Sequence, residues 1–140
     1  MSLYTWTVLY ILTLHWIADF ILQTHWQATN KSKSVLALTK HVFSYTLALF
    51  VGMFIFFAFV VSKAIYGADW TLIVEIALRT SALYALLNGS IHWATDYVTS
   101  KVTASLWKQG EIHDFFVMVG FDQLLHYITL FVTYFWFIGV

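Results

Sequence analysis

The sequence predicts an all-α fold: a polytopic membrane protein built as a four-transmembrane-helix bundle, with residues 1–140 forming one domain. Three observations predict it. Hydrophobic residues make up 61% of the chain and charged ones 10%, where a soluble domain carries roughly a quarter charged residues. The apolar residues gather into four runs, each near the ~20 residues a helix needs to cross the hydrocarbon core. Open strands cannot satisfy their backbone in lipid, and four spans are too few for a closed barrel, so the spans are helices.

The first span covers about 4–23, the second 41–61, the third 72–99 and the fourth 114–137. Between the first two, "THWQATNKSKSVLALTK" carries Lys31, Lys33 and Lys40. The third connection, "SKVTASLWKQGEI", adds Lys101 and Lys108, whereas the second, "SKAIYGADW", has only Lys63. The positive-inside rule therefore puts the first and third connections in the cytoplasm, and both termini face out. Trp6, Trp70, Trp107 and Trp136 fall near the span ends, as interfacial belt residues do. The chain opens on an apolar segment without a basic leader, so no cleavable signal peptide is expected.

Composition also excludes function classes. Seven Lys plus Arg balance seven Asp plus Glu, so there is no basic surface for nucleic acid. Cysteine is absent, which removes disulfides, thiolate catalysis and Cys-based zinc sites.

With the topology set, depth organises the polar residues. "LHWIADFI" places His15 and Asp19 in the cytoplasmic half of span one, and "IHWATDYV" places His92 and Asp96 at the same depth in span three. Span four runs the other way and its motif is reversed, "FDQLLH", so that Asp122 is again nearer the cytoplasm than His126. The i,i+4 spacing sets each pair on one helix face, with about 6 Å between the two levels. His41, at the start of span two, can join the carboxylate level. The matching His, Trp and Asp of the first two segments also hint at a parallel repeat of two helical hairpins.

Ionisable residues inside spans point to a functional site in the bundle interior. Three carboxylates in one pocket repel one another unless a cation holds them. A divalent metal is thus expected on His15, His92, His126 and His41 with Asp19, Asp96 and Asp122; the mixed set favours zinc, with manganese or iron as the other options. One metal or a dinuclear centre with a bridging carboxylate fits the count. Two other readings use the same residues: interhelical hydrogen-bonding glue, and a proton or ion relay. Lys31, Lys33, Lys40 and Lys101 ring the mouth, where they can attract an anionic headgroup. Asn88 and Gln123 lie within one turn of His92 and Asp122 and are candidates for substrate hydrogen bonds. Glu75 and Arg79 are expected to pair with each other, His25, His113 and Asp114 to stay solvated, and Gly89 and Gly120 to permit close backbone approach.

Taken in order, "HWIADFILQTHWQATNKSKS", the following "KH", then "HWATDY" with a trailing lysine and finally "DQLLH" resemble the bacterial and phage membrane proteins grouped as domain of unknown function 3307. The resemblance covers most of the chain. It picks out His15, Asp19, Gln23, Lys31, Lys33, His41, His92, Asp96, Lys101, Asp122, Gln123 and His126, and it brings Gln23 into the substrate-binding set. The chain looks like a short version of the family, as its phage members are. A group of inner-membrane metal-dependent hydrolases is similar in its intramembrane His and Asp motifs.

The function expected is a metal-dependent membrane hydrolase acting on a lipid-linked phosphate or ester at the cytoplasmic leaflet. One of Asp19, Asp96 or Asp122 serves as general base or second metal ligand. The expected partners are membrane lipid and a second copy of the chain. The rival is a non-enzymatic module, either an ion or proton conduit or a phage protein that interacts with the host membrane. The nearly wholly apolar outer halves of spans two and four speak against a conduit.

Overall fold

The computed structural model describes residues 3–65, 67 and 69–138. Residues 1, 2, 139 and 140 of the expected domain, with Tyr66 and Ala68 of its second connection, lie outside the described residues. The described chain is helical: α1 (Leu3–Trp16), a π-helical turn (Ile17–Ile21), α2 (His25–Asn30), α3 (Val35–Ala64), α4 (Trp70–Gln109) and α5 (Ile112–Ile138). Helices α3, α4 and α5 are each long and apolar enough to cross a membrane.

Local chemistry sets the boundaries. Thr24 caps α2 by accepting from the Gln27 amide while the Gln27 side chain accepts from the Thr24 amide, a reciprocal arrangement that satisfies two otherwise unpaired donors. Ser34 caps α3 through the Ala37 amide at 3.3 Å. Gly110, at φ 77°, ends α4 in the left-handed conformation that a residue without Cβ adopts at little cost. The Glu111 amide then closes onto the Leu106 carbonyl, and α5 begins at once.

The helices outrun the expected spans. Helix α3 starts at Val35 instead of 41, and α4 continues to Gln109, so Lys101 and Lys108 sit on helix and only Gly110 and Glu111 connect α4 to α5. Hydropathy marks where the chain meets hydrocarbon, not where its backbone hydrogen bonds stop. At about 1.5 Å per residue α4 is about 60 Å long, twice the ~30 Å hydrocarbon thickness.

Helix α3 packs along α4, α4 along α5, and α1 with its π-turn closes against α3. Away from Lys31, Lys33 and Lys101, Ile11, Leu49, Met53, Phe57, Tyr84 and Leu130 form an apolar core. Two tyrosines tie helices together inside it: the Tyr84 hydroxyl donates to the Leu130 carbonyl at 2.9 Å and the Tyr10 hydroxyl to the Gly52 carbonyl at 2.7 Å. The outward faces carry large apolar side chains such as Phe43, Ile55, Leu86 and Val132, a surface suited to lipid. Trp6, Trp70, Trp107 and Trp136 are all well exposed, and Arg79 pairs with Glu75 at 2.6 Å.

At Gly89 α4 lies close against α3. A Cβ there would overlap the Thr46 side chain, which is β-branched, stiff in a helix and already donating to the Val42 carbonyl at 2.7 Å. Gly120, by contrast, faces open space. Gly89→Ala is therefore expected to destabilise the protein by about 1–3 kcal/mol, the usual cost of overpacking, while Gly120→Ala costs nothing measurable. Thermal unfolding in detergent checks this, and equal midpoints for the two variants would refute the close-approach account.

Candidate metal centre

The polar residues of four helices and the π-turn meet where α1 ends, α3 begins and α4 and α5 pass each other. His15, Asp19, His41, His92, Asp96 and His126 are each 2% exposed or less. The π-turn presents Asp19. Its Leu22 amide reaches back to the Ile17 carbonyl, an i→i+5 bond, at 3.0 Å; such a turn inserts one extra residue and re-aims the side chains around it. Asp19 Oδ1 thereby comes to 3.1 Å from His41 Nε2 and 3.5 Å from His92 Nε2.

Asp96 is the hub. Its Oδ2 lies 3.6 Å from both His41 Nε2 and His92 Nε2, and its Oδ1 lies 3.2 Å from His126 Nε2. His126 Nε2 also stands 3.5 Å from Asp122 Oδ1, which accepts from the Thr99 hydroxyl at 2.5 Å. Two sets of atoms able to hold a metal ion result: Asp19, His41, His92 and Asp96, and Asp96, Asp122 and His126.

The first set fits a small ion closely. Zinc bonds of about 2.0–2.1 Å in a tetrahedron require ligand atoms about 3.3–3.4 Å apart. The two imidazole Nε2 atoms are 3.2 Å apart, and the four His-to-carboxylate distances run from 3.1 to 3.6 Å. Asp19 Oδ1, fully buried, has no well-formed hydrogen bond in spite of these neighbours, as expected of a lone pair aimed at a cation. Charge is consistent with this: with the imidazoles neutral, as metal ligands must be, three carboxylates against the ammonium of Lys31 leave two negative charges, which a divalent ion neutralises. The His41 and His92 Nδ1 atoms are buried without partners among the described residues, and the His92 ring is held by stacking. His92 lies between Tyr45 and His126, with ring centroids 4.1 Å away on either side.

His15 stands apart from both sets, and the hydrogen bonds around it decide its state. Gln123 Nε2 donates to Asp19 Oδ2 and to Asp122 Oδ2, each at 3.1 Å. That orientation turns Gln123 Oε1 toward His15 Nε2 at 3.0 Å, so Nε2 must carry the proton. His15 Nδ1 then accepts from the Tyr45 hydroxyl at 3.2 Å. His15, expected as a ligand, lies outside both sets and bonds Gln123, which in turn bonds the Asp19 and Asp122 carboxylates. Tyr45 was not singled out in the sequence, though its place one helical turn after His41 on the same face is a usable signal.

Lys31 follows α2 and reaches into the cluster, its Nζ 2.8 Å from Asp96 Oδ2. Burial works to lower the pKa of this ammonium, but the Asp96 and Asp19 carboxylates outweigh it and hold the group above the ordinary lysine value. Beside it opens a cavity of about 250 Å³ lined by Lys31, Gln23, Ser100, Asp122 and Gln123, with Phe20 and Phe115 as apolar walls. Gln23 donates to the Asp19 carbonyl at 3.2 Å, leaving its buried Oε1 without a partner among the described residues.

The remaining candidates lie elsewhere. Lys33 and Lys101 share a small recess with Lys31, and Lys101 Nζ lies 3.3 Å from the centroid of the Tyr97 ring. Lys40 is exposed over Trp26. Asn88 bonds Thr133 at 2.9 Å and the Tyr84 carbonyl, joining α4 to α5 on the dry side of the cluster. His25, His113 and Asp114 are exposed.

Fold and site together define the class: an all-helical protein with helices fit to span a membrane, enclosing a buried His and Asp cluster able to bind metal. No protein-family model matches the chain, and comparison with curated proteins and with solved structures finds no similar one.

Proposed function

We propose that this chain is a four-span protein of the inner membrane, with both termini periplasmic, that holds divalent metal and hydrolyses a lipid-linked phosphate or ester at the cytoplasmic leaflet. The observation that carries the reading is the convergence of two imidazole nitrogens and two carboxylate oxygens at tetrahedral spacing, next to a cavity that combines a lysine with apolar walls. Helix α1 runs without a break into the π-turn, and together they supply the fourth span. The resemblance to domain of unknown function 3307 supports the same residue set, and zinc suits its mixed nitrogen and oxygen donors best.

A divalent ion supplies an acidified water and polarises a phosphoryl or acyl oxygen. This chain's own residues do the rest. Asp122, the most accessible of the three carboxylates with its side chain 14% exposed, lines the cavity and takes the proton of the attacking water. Lys31 Nζ binds the anionic headgroup, and Gln23 Oε1 accepts from a headgroup hydroxyl or amine. Phe20 and Phe115 receive the first methylenes of a chain arriving sideways from the bilayer. A conduit is disfavoured because beyond His15 and Tyr45 the bundle is filled by Ile11, Leu49, Met53 and Leu130, none more than 1% exposed.

Metal content per chain, measured by plasma mass spectrometry on protein purified in detergent without chelators, tests the proposal together with hydrolysis of a panel of phosphorylated lipids. Stoichiometric zinc, and phosphate release abolished by chelator and restored by zinc, are expected. Folded protein without stoichiometric metal would sink the reading in favour of a hydrogen-bonded bundle.

A further inference from the structure

The two ligand sets differ in ways that assign them different tasks. Asp19, His41, His92 and Asp96 are all buried and offer four ligand atoms, with the two imidazole nitrogens 3.2 Å apart and 3.1–3.6 Å from the carboxylate oxygens; four-coordinate sites closed in this way are structural. Asp96, Asp122 and His126 provide three atoms, and Asp122 lines the cavity beside Lys31; three protein ligands with an accessible fourth position are the pattern of catalytic sites. Asp96 serves both sets with different oxygens, Oδ2 toward His41 and His92 and Oδ1 toward His126. A carboxylate split in this way bridges two ions. Its orientation is held from a third direction by Lys31 at 2.8 Å from Oδ2.

We propose that the cluster is an asymmetric dinuclear centre bridged by Asp96, with a closed ion on Asp19, His41 and His92 and an open, exchangeable ion on His126 and on Asp122 Oδ1, the Asp122 oxygen nearest His126, which leaves Asp122 Oδ2 as the proton acceptor facing the cavity. The inference rests on the metal-binding reading above and extends it. With two divalent ions, three carboxylates and Lys31, the centre carries two net positive charges, which match a phosphate monoester dianion. This makes a lipid phosphate monoester, in preference to a neutral ester, the substrate class.

The test is zinc stoichiometry in detergent-purified protein, with folding of each variant checked by circular dichroism. Two equivalents are expected in the wild type and one in His126→Gln. Brief chelator treatment removes one equivalent from the wild type and none from His126→Gln. With manganese in place of zinc, electron paramagnetic resonance should show an exchange-coupled pair, because the ions share a carboxylate. One equivalent in the wild type, or two ions with uncoupled spectra, would overturn the bridged centre while leaving metal binding intact. No equivalent at all would overturn both. If His126→Gln does not fold, His126→Asn and the chelator series on the wild type decide the question, since loss of both ions in a single phase contradicts the asymmetry.

Discussion

Asp96→Asn is expected to reduce bound metal from stoichiometric to background and to lower kcat/KM for lipid phosphate hydrolysis by ~10²-fold or more, because a bound ion contributes several kcal/mol to the transition state and each ~1.4 kcal/mol is tenfold in rate. Asp96 is the residue on which the cluster turns, because its carboxylate lies within 3.6 Å of His41, His92 and His126 and within 2.8 Å of Lys31. Asparagine keeps the shape but removes the charge, and it presents a donor amide to groups that need an acceptor. The variant also leaves Lys31 without its closest counter-charge. Breaking a fully buried pair costs about 3–5 kcal/mol; the Lys31 side chain is 20% exposed, so the loss in stability should fall below that range. Metal analysis, phosphate release and thermal unfolding on one preparation check all three effects. Full metal occupancy in folded Asp96→Asn would remove this residue from the centre.

Lys31→Met is expected to move two quantities in opposite directions. The ammonium competes with metal for the Asp96 carboxylate and repels any cation placed between Asp19 and Asp96. Two unit charges about 4 Å apart interact by about 4 kcal/mol at an effective dielectric near 20, and partial exposure reduces this, so zinc affinity should rise about 10-fold. The headgroup meanwhile loses its cation, and KM for an anionic lipid phosphate should rise about 10-fold or more while hydrolysis of a neutral ester is spared. Zinc competition with a chromogenic chelator reads the first effect, and paired anionic and neutral substrates read the second. A variant that loses metal and both activities together would show that Lys31 serves as a structural clamp and not as a headgroup ligand.

Much of the site was legible in the sequence because helices convert spacing into geometry. The three His and Asp pairs, each four residues apart, foretold which faces would converge, and the reversed order in span four foretold that Asp122 and His126 would match the depth of the others. His41 met them as expected from its position at the start of span two. The roles were less legible. His15 has the same spacing from Asp19 that His92 has from Asp96, yet its protonated nitrogen faces Gln123, a state set by a residue more than a hundred positions away. Asn88, one turn from His92, turns toward Thr133, because a helix carries residues four apart on similar but not identical bearings. Thr99, which donates to Asp122, and Ser100, which lines the cavity, carry no signal in the sequence, because hydroxyls in membrane helices commonly bond their own backbone.

By itself the sequence determined the helical class, the apolar helices, the end of the bundle where the polar residues gather and the set of side chains drawn together there. All of these follow from hydropathy and helical period, which are local properties. Only the tertiary structure decided which atoms face one another: the π-turn that re-aims Asp19, the division of Asp96's two oxygens between two sets, the exclusion of His15 and the insertion of Lys31. These depend on distances of a few ångströms between helices. Such distances are fixed by contacts such as that of Gly89 against Thr46, which no periodicity within a single helix encodes.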